Sequence, residues 1–169
     1  DSLPESKRRY EGVSIGKAAL DTSAQYNPEN PETYSHKKIN TWDDMDKYAD
    51  RIANATDRAK QILYIAGWQV GGHDFEYPYP HKKGMNPLAG TIEQYMEISE
   101  KQLKENNIVL SLHDNFDDAY LSDSYALGEN LIALDEKGDF YKGWLWAGGM
   151  SYIVSPNKYV NSKELDERI

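Results

Sequence analysis

The sequence contains no cysteine, few phenylalanines, no long basic patch and no long apolar run. Without cysteine, disulfide bonds, thiolate metal sites and a cysteine nucleophile are all excluded. No apolar segment has the roughly 20 residues that a membrane-spanning helix needs, so we expect no membrane span. The first residues, 1–6, also lack the charged and apolar regions of a signal peptide.

The charge balance is strongly acidic, with a formal net charge of −9 at pH 7. A phosphate backbone is bound by clustered Lys and Arg, so this balance argues against a nucleic-acid partner. Hydrophobic residues make up 39% of the 169 residues, which favours a folded domain over a disordered segment. The aromatic residues are 13 Tyr, 4 Trp and 3 Phe. Rings with a polar atom suit half-exposed surfaces, which include sugar-binding clefts.

Short apolar runs alternate with capped amphipathic helices in the middle of the chain. Thr41 with Asp44, and Thr91 with Gln94, have the spacing of a capping box. The apolar spacing predicts helices over 41–57 and 91–106 and strands over 62–66 and 108–112. The inner face of the second helix should carry Ile92, Tyr95, Met96, Ser99 and Leu103. A strand, a helix and a strand in this order are typical of a parallel sheet, so we expect the two strands to be parallel neighbours.

The segments around this unit are less regular. Residues 1–40 should form an irregular N-terminal segment or linker, because much of this stretch is rich in Asn, Pro, Ser and Tyr. Residues 67–90 form a loop that is too long for a simple connector, so we expect it to be functional. A hairpin with its turn at 135–138 is predicted next, followed by a short strand at 152–154. Ser155 and Pro156 then fit the start of a last helix.

Polar and aromatic side chains follow both predicted strands. Trp68, His73 and Asp74 come after the first strand, and His113 and Asp114 come directly after the second. Parallel strands bring their carboxyl ends to one edge, where α/β proteins place their binding sites. We therefore expect Asp74 and Asp114 to lie side by side, with Trp68 as the floor. Such groups suit carbohydrate recognition, and further flat aromatic faces come from Tyr77, Tyr79 and Trp146.

Each of these residues also has a purely structural interpretation. Trp68 fits a packing residue at the rim of a barrel about equally well, and Asp74 fits a loop anchor that accepts backbone N–H groups. His113 fits a residue that only holds the neighbouring loop. Asp114 is the strongest candidate, because a charge directly after a buried strand is costly unless it is paired or used. The spacing matches no metal-binding motif, so we expect no metal and no cofactor, and a metal-dependent hydrolase is the least favoured function.

Ordered motifs in the same region resemble a known family. They run from Tyr64-Ile65-Ala66-Gly67-Trp68-Gln69 through Gly72-His73-Asp74 and Leu112-His113-Asp114-Asn115 to Trp146-Ala147-Gly148-Gly149. Over roughly residues 40–160, their order is similar to the barrel of bacterial glycosidases related to endo-α-N-acetylgalactosaminidases, family 101 of the glycoside hydrolases. The order along the chain makes the resemblance more specific than any single motif.

The resemblance implies an α/β fold in which residues 41–169 supply the first βα units of a (β/α)8 TIM-type barrel, with long βα loops and a hairpin insertion. It also implies retaining hydrolysis of α-linked galactosyl or N-acetylgalactosaminyl groups, by an Asp nucleophile and a Glu acid/base on later strands. A barrel needs about 250 residues, so the catalytic pair is expected downstream of this chain. By the resemblance Trp68, Asp74, His113 and Asp114 line the sugar pocket, and His73 and Trp146 complete the predicted substrate-binding set.

A second class of function stays open at this point. The same unit would also suit a non-catalytic carbohydrate-binding or scaffolding domain. In both cases the expected partner is a glycan, together with the rest of the barrel if the chain is a fragment. Polymer-degrading relatives are usually exported, so the expected location is secreted, periplasmic or at the bacterial cell surface.

Overall fold

The fold combines a parallel sheet and an antiparallel sheet, each with three strands in the described part of the chain. The computed structural model describes residues 14–20, 40–70, 72–73, 77, 84–121, 130–146, 149–162 and 165–166. Its strands and helices, in chain order, are β1 (Ser14–Ala19), α1 (Trp42–Ala55), β2 (Gln61–Ala66), α2 (Ile92–Asn106), β3 (Ile108–Leu112), β4 (Asp118–Ala119), β5 (Lys142–Trp146), β6 (Gly149–Ile153) and α3 (Pro156–Val160). None of the helices described is long and apolar enough to cross a membrane.

The parallel sheet has the strand order β1-β2-β3. Strand β2 pairs in parallel with β3, so the prediction of parallel neighbours is confirmed. Successive residues of β2 lie on opposite faces of the sheet. Leu63 and Ile65 are buried in a core cluster with residues of α1, whereas Ile62 and Tyr64 lie on the other face and are half-buried. One face of the sheet is thus covered by helix, and the polar end of β2 leads into the loop after Ala66.

Strand β1 lies in the N-terminal segment that the sequence predicts to be irregular, so that prediction is wrong for residues 14–19. Its only β-branched residue is Ile15, which gives the segment little intrinsic preference for a strand. Parallel pairing to β2 at every position holds it in the sheet instead. Gly16 permits this close approach, because a Cβ at this position would come within 3.1 Å of the Leu63 side chain.

Helix α1 packs on the covered face of the parallel sheet. Its N-terminus has the predicted capping box, in which the Thr41 hydroxyl accepts from the Asp44 N–H and the Asp44 carboxylate accepts from the Thr41 N–H. The buried face of α1 consists of Trp42, Met45, Ala49 and Ala53, and it packs against Leu20, Leu63, Ile65, Ile108 and Leu110. Full burial of each large apolar side chain contributes about 1.5–3 kcal/mol, so this cluster is the main stabilising element of the parallel layer.

Helix α2 begins at its predicted capping box but buries a different face from the one predicted. Ile92, Met96 and Leu103 were expected to face inward, yet they are 53%, 62% and 55% exposed, so the prediction is wrong for these three residues. Tyr95 does pack against the core, together with Ile98. The inner face of α2 is therefore rotated away from its most apolar stripe.

The reason is a polar interface between α1 and α2. Gln102 is fully buried, and its carboxamide donates to the carboxylates of Asp46 and Asp50 at 2.6 and 2.9 Å. Asn106 donates to Asp50 at 2.8 Å, and the Lys101 ammonium lies 2.7 Å from the Asp46 carboxylate. Buried amides need hydrogen-bond partners, and α1 supplies them as carboxylates. Apolar periodicity alone does not reveal such a contact.

The antiparallel sheet has the strand order β4-β6-β5 and follows the parallel unit in the chain. Leu134 bridges Phe140, and the turn between them contains Gly138 with a left-handed φ of 85°, so the predicted hairpin is confirmed. The predicted strand near residue 153 is confirmed as β6, and α3 begins at Pro156 as predicted. This sheet has its own small core of Ala119, Leu131, Ile132, Val154 and Tyr159.

The architecture of the described residues is mixed α/β with parallel and antiparallel sheets. The order β1-α1-β2-α2-β3 matches the first units expected of a barrel, and it places both helices between parallel strands. The strands after β3 are antiparallel instead of continuing this alternation. A closed (β/α)8 barrel therefore stays a prediction.

Candidate functional site

The carboxyl ends of β2 and β3 meet at one edge of the parallel sheet. The His113 N–H donates to the Ile65 carbonyl at 2.7 Å, so the contact between the strands continues past the end of β3. Strand β2 leads through Gly67, whose φ is 79°, into Trp68. Trp68 and His113 are therefore neighbours although 45 residues separate them in sequence.

Trp68 links the two loops that begin at this edge. Its indole Nε1–H donates to the main-chain oxygen of His113 at 2.6 Å, and its ring belongs to the core cluster of the parallel layer. The Asn86 N–H donates to the Trp68 carbonyl at 2.7 Å, which ties in the far end of the loop. Trp68 thus has the packing role left open by the sequence. With 7% of its surface exposed, it is almost entirely buried.

The imidazole of His113 lies among three other rings. The Tyr64 hydroxyl is hydrogen-bonded to Nδ1 of His113, and the two rings meet edge to face with centroids 5.1 Å apart. The His73 ring stacks on His113 at 4.9 Å with an interplanar angle of 24°. Tyr77 meets His113 edge to face at 6.4 Å. These contacts hold the His113 ring in one orientation at the sheet edge.

The residues after His113 form a hydrogen-bonded turn. The Asp114 carboxylate accepts from the Asn115 N–H at 2.9 Å. The Asn115 carboxamide donates to the Asp118 carboxylate at 2.5 Å, and its oxygen accepts from the Asp117 N–H at 2.9 Å. Asp118 is buried at the start of the antiparallel sheet. Asn115 therefore couples the strand-end loop to the second sheet, a role that sequence reasoning missed.

Two buried amides hold the long loop after β2. Gln69 is fully buried, forms a bridge with Met85, and donates from Nε2 to the Tyr77 hydroxyl at 2.9 Å. Asn86 is also buried, and its side-chain oxygen accepts from the Leu88 N–H at 3.0 Å. The sequence analysis did not select Gln69 or Asn86 as site residues. Both lie close to glycines or prolines of this loop, Gln69 before Gly71 and Asn86 before Pro87. They bring the two ends of the loop together and so keep Trp68 in place.

The predicted site residues have different outcomes. Trp68, His73, His113 and Asp114 all lie at or next to the carboxyl edge of β2 and β3. Asp74 and Tyr79 lie outside the described residues, so the predicted pairing of Asp74 with Asp114 stays a prediction. Trp146 ends β5 and pairs with Gly149, and its side chain is outside the described part of the chain.

The chemistry at this edge consists of imidazole, indole, phenol and carboxylate groups. Among the described residues, no group of three or more His, Asp or Glu side chains is placed to hold a metal ion. Two imidazoles and the Asp114 carboxylate can donate and accept hydrogen bonds, and the stacked rings add flat apolar surface. Such a set suits a neutral polyhydroxylated ligand better than a phosphate, which is bound by clustered cations.

The arrangement of the sheets and helices is similar to part of several solved glycosidase structures. Three solved structures of α-N-acetylgalactosaminidase NagBb from Bifidobacterium bifidum match the chain, each at 19% sequence identity. The quadruple mutant matches 97% of the chain with a TM-score of 0.69, the complex with Gal-NHAc-DNJ matches 96% with 0.71, and the complex with GalNAc matches 94% with 0.67. At this identity the likeness concerns the fold alone.

The chain spans about a quarter of the length of these proteins, 28% of the quadruple mutant and 26% of the two complexes. No protein-family model matches the chain, and no curated protein matches it either. The comparisons thus support a glycoside-hydrolase-like fold, and they do not support the narrower assignment to family 101.

Proposed function

We propose that the chain supplies the sugar-binding edge of a glycosidase that acts on α-linked galactosyl or N-acetylgalactosaminyl groups. One observation supports this most: the chain shares a fold with an α-N-acetylgalactosaminidase over 97% of its length, and its imidazole, indole and carboxylate groups gather at the strand edge where such folds place binding sites. Structures of NagBb contain GalNAc or Gal-NHAc-DNJ. We therefore propose N-acetylgalactosamine as the type of sugar that this edge binds.

The groups at the edge have defined roles in this proposal. The Asp114 carboxylate accepts hydrogen bonds from sugar hydroxyls, and His73 and His113 complete the polar contacts. Trp68 and Tyr77 are buried and support the site by packing, and the half-buried rings of His73 and His113 offer flat surface to the C–H face of a pyranose. Asp74 and Trp146 belong to the same proposed substrate-binding set. The net charge of −9 is consistent with a neutral glycan as the partner.

Catalysis is assigned to residues outside this chain. A retaining mechanism uses two carboxyl groups, one as nucleophile and one as acid/base. In this proposal they lie on later strands of a (β/α)8 barrel of which residues 41–169 form the first units, preceded by the segment 1–40. The relationship to family 101 and a secreted, periplasmic or cell-surface location belong to the same proposal.

A non-catalytic carbohydrate-binding or scaffolding domain is the second candidate. The observation that favours it is the antiparallel sheet after β3, which does not continue the alternation of parallel strands and helices. Both candidates bind a glycan, so sugar binding tests what they share and hydrolysis separates them.

The binding experiment compares two aspartates of one loop. We expect Asp114→Ala to weaken GalNAc binding about tenfold or more, because a sugar hydroxyl left without its acceptor costs about 1–3 kcal/mol. Asp117→Ala removes the same charge three residues away, where the side chain is exposed, and should leave the affinity within about twofold of the parent. Isothermal titration with GalNAc and galactose gives the Kd values, and thermal melts give the stability.

Two outcomes of this comparison would contradict the proposal. If Asp114→Ala lowers the melting temperature strongly and leaves the Kd unchanged, Asp114 is a loop anchor only. If the parent protein binds neither sugar, the edge is not a galactose site.

A further inference from the structure

An exposed apolar stripe runs along one flank of α2. Ile92, Met96 and Leu103 are all exposed, and at about 100° per residue they lie within about 40° of one another around the helix. These three residues are called the α2 stripe below. Leu88, just before the helix, is exposed as well. Exposed aliphatic side chains in one row are typical of a contact surface.

The α2 stripe faces away from α1. Lys101 and Gln102 bind a carboxylate of α1, and they lie roughly a half and a quarter of a turn from Leu103 around the helix. A further side of the helix consists of exposed charged residues, namely Glu93, Glu97, Glu100 and Lys104. Because the strands follow in the order β1-β2-β3, the flank away from α1 lies towards the outer edge of β3.

The outer edge of β3 is open in the described part of the chain, where β3 pairs with β2 alone. Just past the end of β3, the His113 N–H donates to the Ile65 carbonyl of β2. Alternate residues of a parallel strand direct their main-chain groups to opposite edges. The N–H and C=O groups of Ile108, Leu110 and Leu112 therefore point away from β2.

The sequence of β3 is that of an interior strand. Ile-Val-Leu-Ser-Leu contains no charged residue and no proline, whereas natural edge strands carry such residues to prevent further pairing. Nearly continuous apolar runs are typical of parallel strands that are covered by other structure. The Tyr95 hydroxyl donates to the outward-facing Leu110 carbonyl at 3.1 Å, and a carbonyl has a second lone pair for a strand partner.

We propose that the α2 stripe and the outer edge of β3 together bind a further αβ unit of the same polypeptide, which is a helix followed by a strand parallel to β3. One such unit covers both surfaces, because its helix packs beside α2 on the face of the sheet where its strand pairs with β3. It continues the interfaces already present, in which α1 lies beside α2 and β2 pairs with β3.

The chemistry of the face disfavours other occupants. The α2 stripe is aliphatic and has no aromatic ring on which a sugar stacks. The neighbouring glutamates oppose binding to an anionic membrane surface. The antiparallel sheet has its own core, and none of its described strands pairs with β3. The inference rests on the proposed barrel only for the source of the αβ unit, and it does not depend on sugar binding.

Hydrogen exchange tests the strand contact in the complete polypeptide that the gene encodes, measured by NMR for each residue. The N–H groups of Val109 and Ser111 point to β2 and serve as the internal reference. If a strand covers the outer edge, we expect the amides of Ile108, Leu110 and Leu112 to exchange within about tenfold of the reference rate. Exchange about 100-fold faster at these alternate residues means an open edge and overturns the proposal. Protection that disappears on dilution would show that a second copy covers the edge, which overturns it too.

Leu103→Lys tests the helix contact in the same polypeptide. A lysine in a packed apolar contact is destabilising, so we expect the melting temperature to fall by about 4 °C or more. The matched control is Glu97→Lys, which places the same side chain on the charged side of α2 and should shift the melting temperature by less than about 1 °C. Equal shifts in the two variants would refute the helix contact.

Titration of the parent polypeptide with GalNAc separates this inference from the proposed function. A covered β3 edge without sugar binding refutes the proposed function and leaves the αβ contact intact. Sugar binding together with an open β3 edge refutes the αβ contact alone.

Discussion

At the scale of single residues, Trp68 shows how packing and binding roles combine. Its indole N–H is buried and satisfied by the His113 carbonyl, so the side chain holds the edge together whether or not a sugar is present. The two interpretations offered by the sequence are therefore not exclusive. The contacts of Trp68 establish its packing role, and sugar titration of Trp68 variants tests its binding role.

We expect Trp68→Phe to lower the free energy of unfolding by about 1–3 kcal/mol, because it removes the hydrogen bond that the indole N–H donates to the His113 carbonyl. Urea denaturation measures this loss. Trp144→Phe is the control, since Trp144 is 69% exposed, and its effect should stay within about 0.5 kcal/mol. Equal effects of the two variants would show that the indole N–H contributes nothing specific.

Gly90, just before α2, carries a second prediction at this scale. Its φ is 130°, and a Cβ there would lie 2.5 Å from the Gln94 oxygen and 2.8 Å from the Trp42 ring. Gly84 has a φ of 85° with nothing within 4 Å of such a Cβ. We expect Gly84→Ala to cost about 1–2 kcal/mol from backbone strain alone, and Gly90→Ala to cost about 1–3 kcal/mol more from overpacking. Denaturation curves of both variants test the difference, and equal losses would exclude the steric contribution.

At the scale of elements, the interface between α1 and α2 is electrostatic as well as apolar. The hydrogen bond from Gln102 lowers the pKa of Asp50, and the charge of Lys101 lowers it further. The hydrogen bond to Asp46 raises the pKa of Lys101. Because Asp50 and Lys101 remain partly exposed, solvent screening keeps each contribution small. The main effect of this network is to determine which face of α2 packs against α1. Its contribution to the overall stability of the fold is small.

The lowered pKa of Asp50 predicts a pH dependence of stability. Its carboxylate contributes fully above the unfolded value of about pH 4, and the contribution is lost as the pH falls through the lower folded value. We expect Asp50→Asn to reduce the fall in unfolding free energy below about pH 4. Gln102→Met, which removes the main cause of the shift, should reduce it as well. Urea denaturation at a series of pH values measures the slope, and an unchanged slope in both variants would contradict this account.

At the scale of the whole molecule, one face of the parallel sheet carries a partly exposed apolar row in the part of the chain that the structure describes. Ile15, Ile62 and Val109 form a row across β1, β2 and β3, and Ile15 is 76% exposed. An apolar row of this kind is normally covered by other structure. In the proposed barrel this row would face the interior.

The catalytic proposal makes a prediction at this scale. We expect the 169 residues alone to show no hydrolysis of aryl α-N-acetylgalactosaminide or α-galactoside substrates, because the nucleophile and acid/base are assigned to other strands. Release of the aryl group, followed by absorbance, is the measurement. Hydrolysis that Asp114→Asn abolishes would move the nucleophile into this chain. A longer protein with the remaining strands that still shows no turnover would favour the binding domain.

The sequence by itself determined the local features of this protein. Several elements depend on residues only a few positions apart, so sequence patterns predict them. They are the capping boxes at Thr41 and Thr91, the helix start at Pro156 and the turn that contains Gly138. The parallel pairing of β2 with β3 followed from the capped helix between them. The gathering of Trp68, His113 and Asp114 at one edge followed in turn, because the ends of parallel strands coincide.

Only the tertiary structure decided the features that depend on distant partners. Strand β1 has little propensity of its own and exists through pairing with β2, so no local pattern predicts it. The buried face of α2 is determined by hydrogen bonds to the carboxylates of α1, more than 50 residues away. The most apolar face of α2 is therefore not the buried one. The contact of Tyr64 with His113 likewise spans 49 positions. Side chains choose such partners by the geometry of the packed sheet and helices, which sequence spacing does not contain.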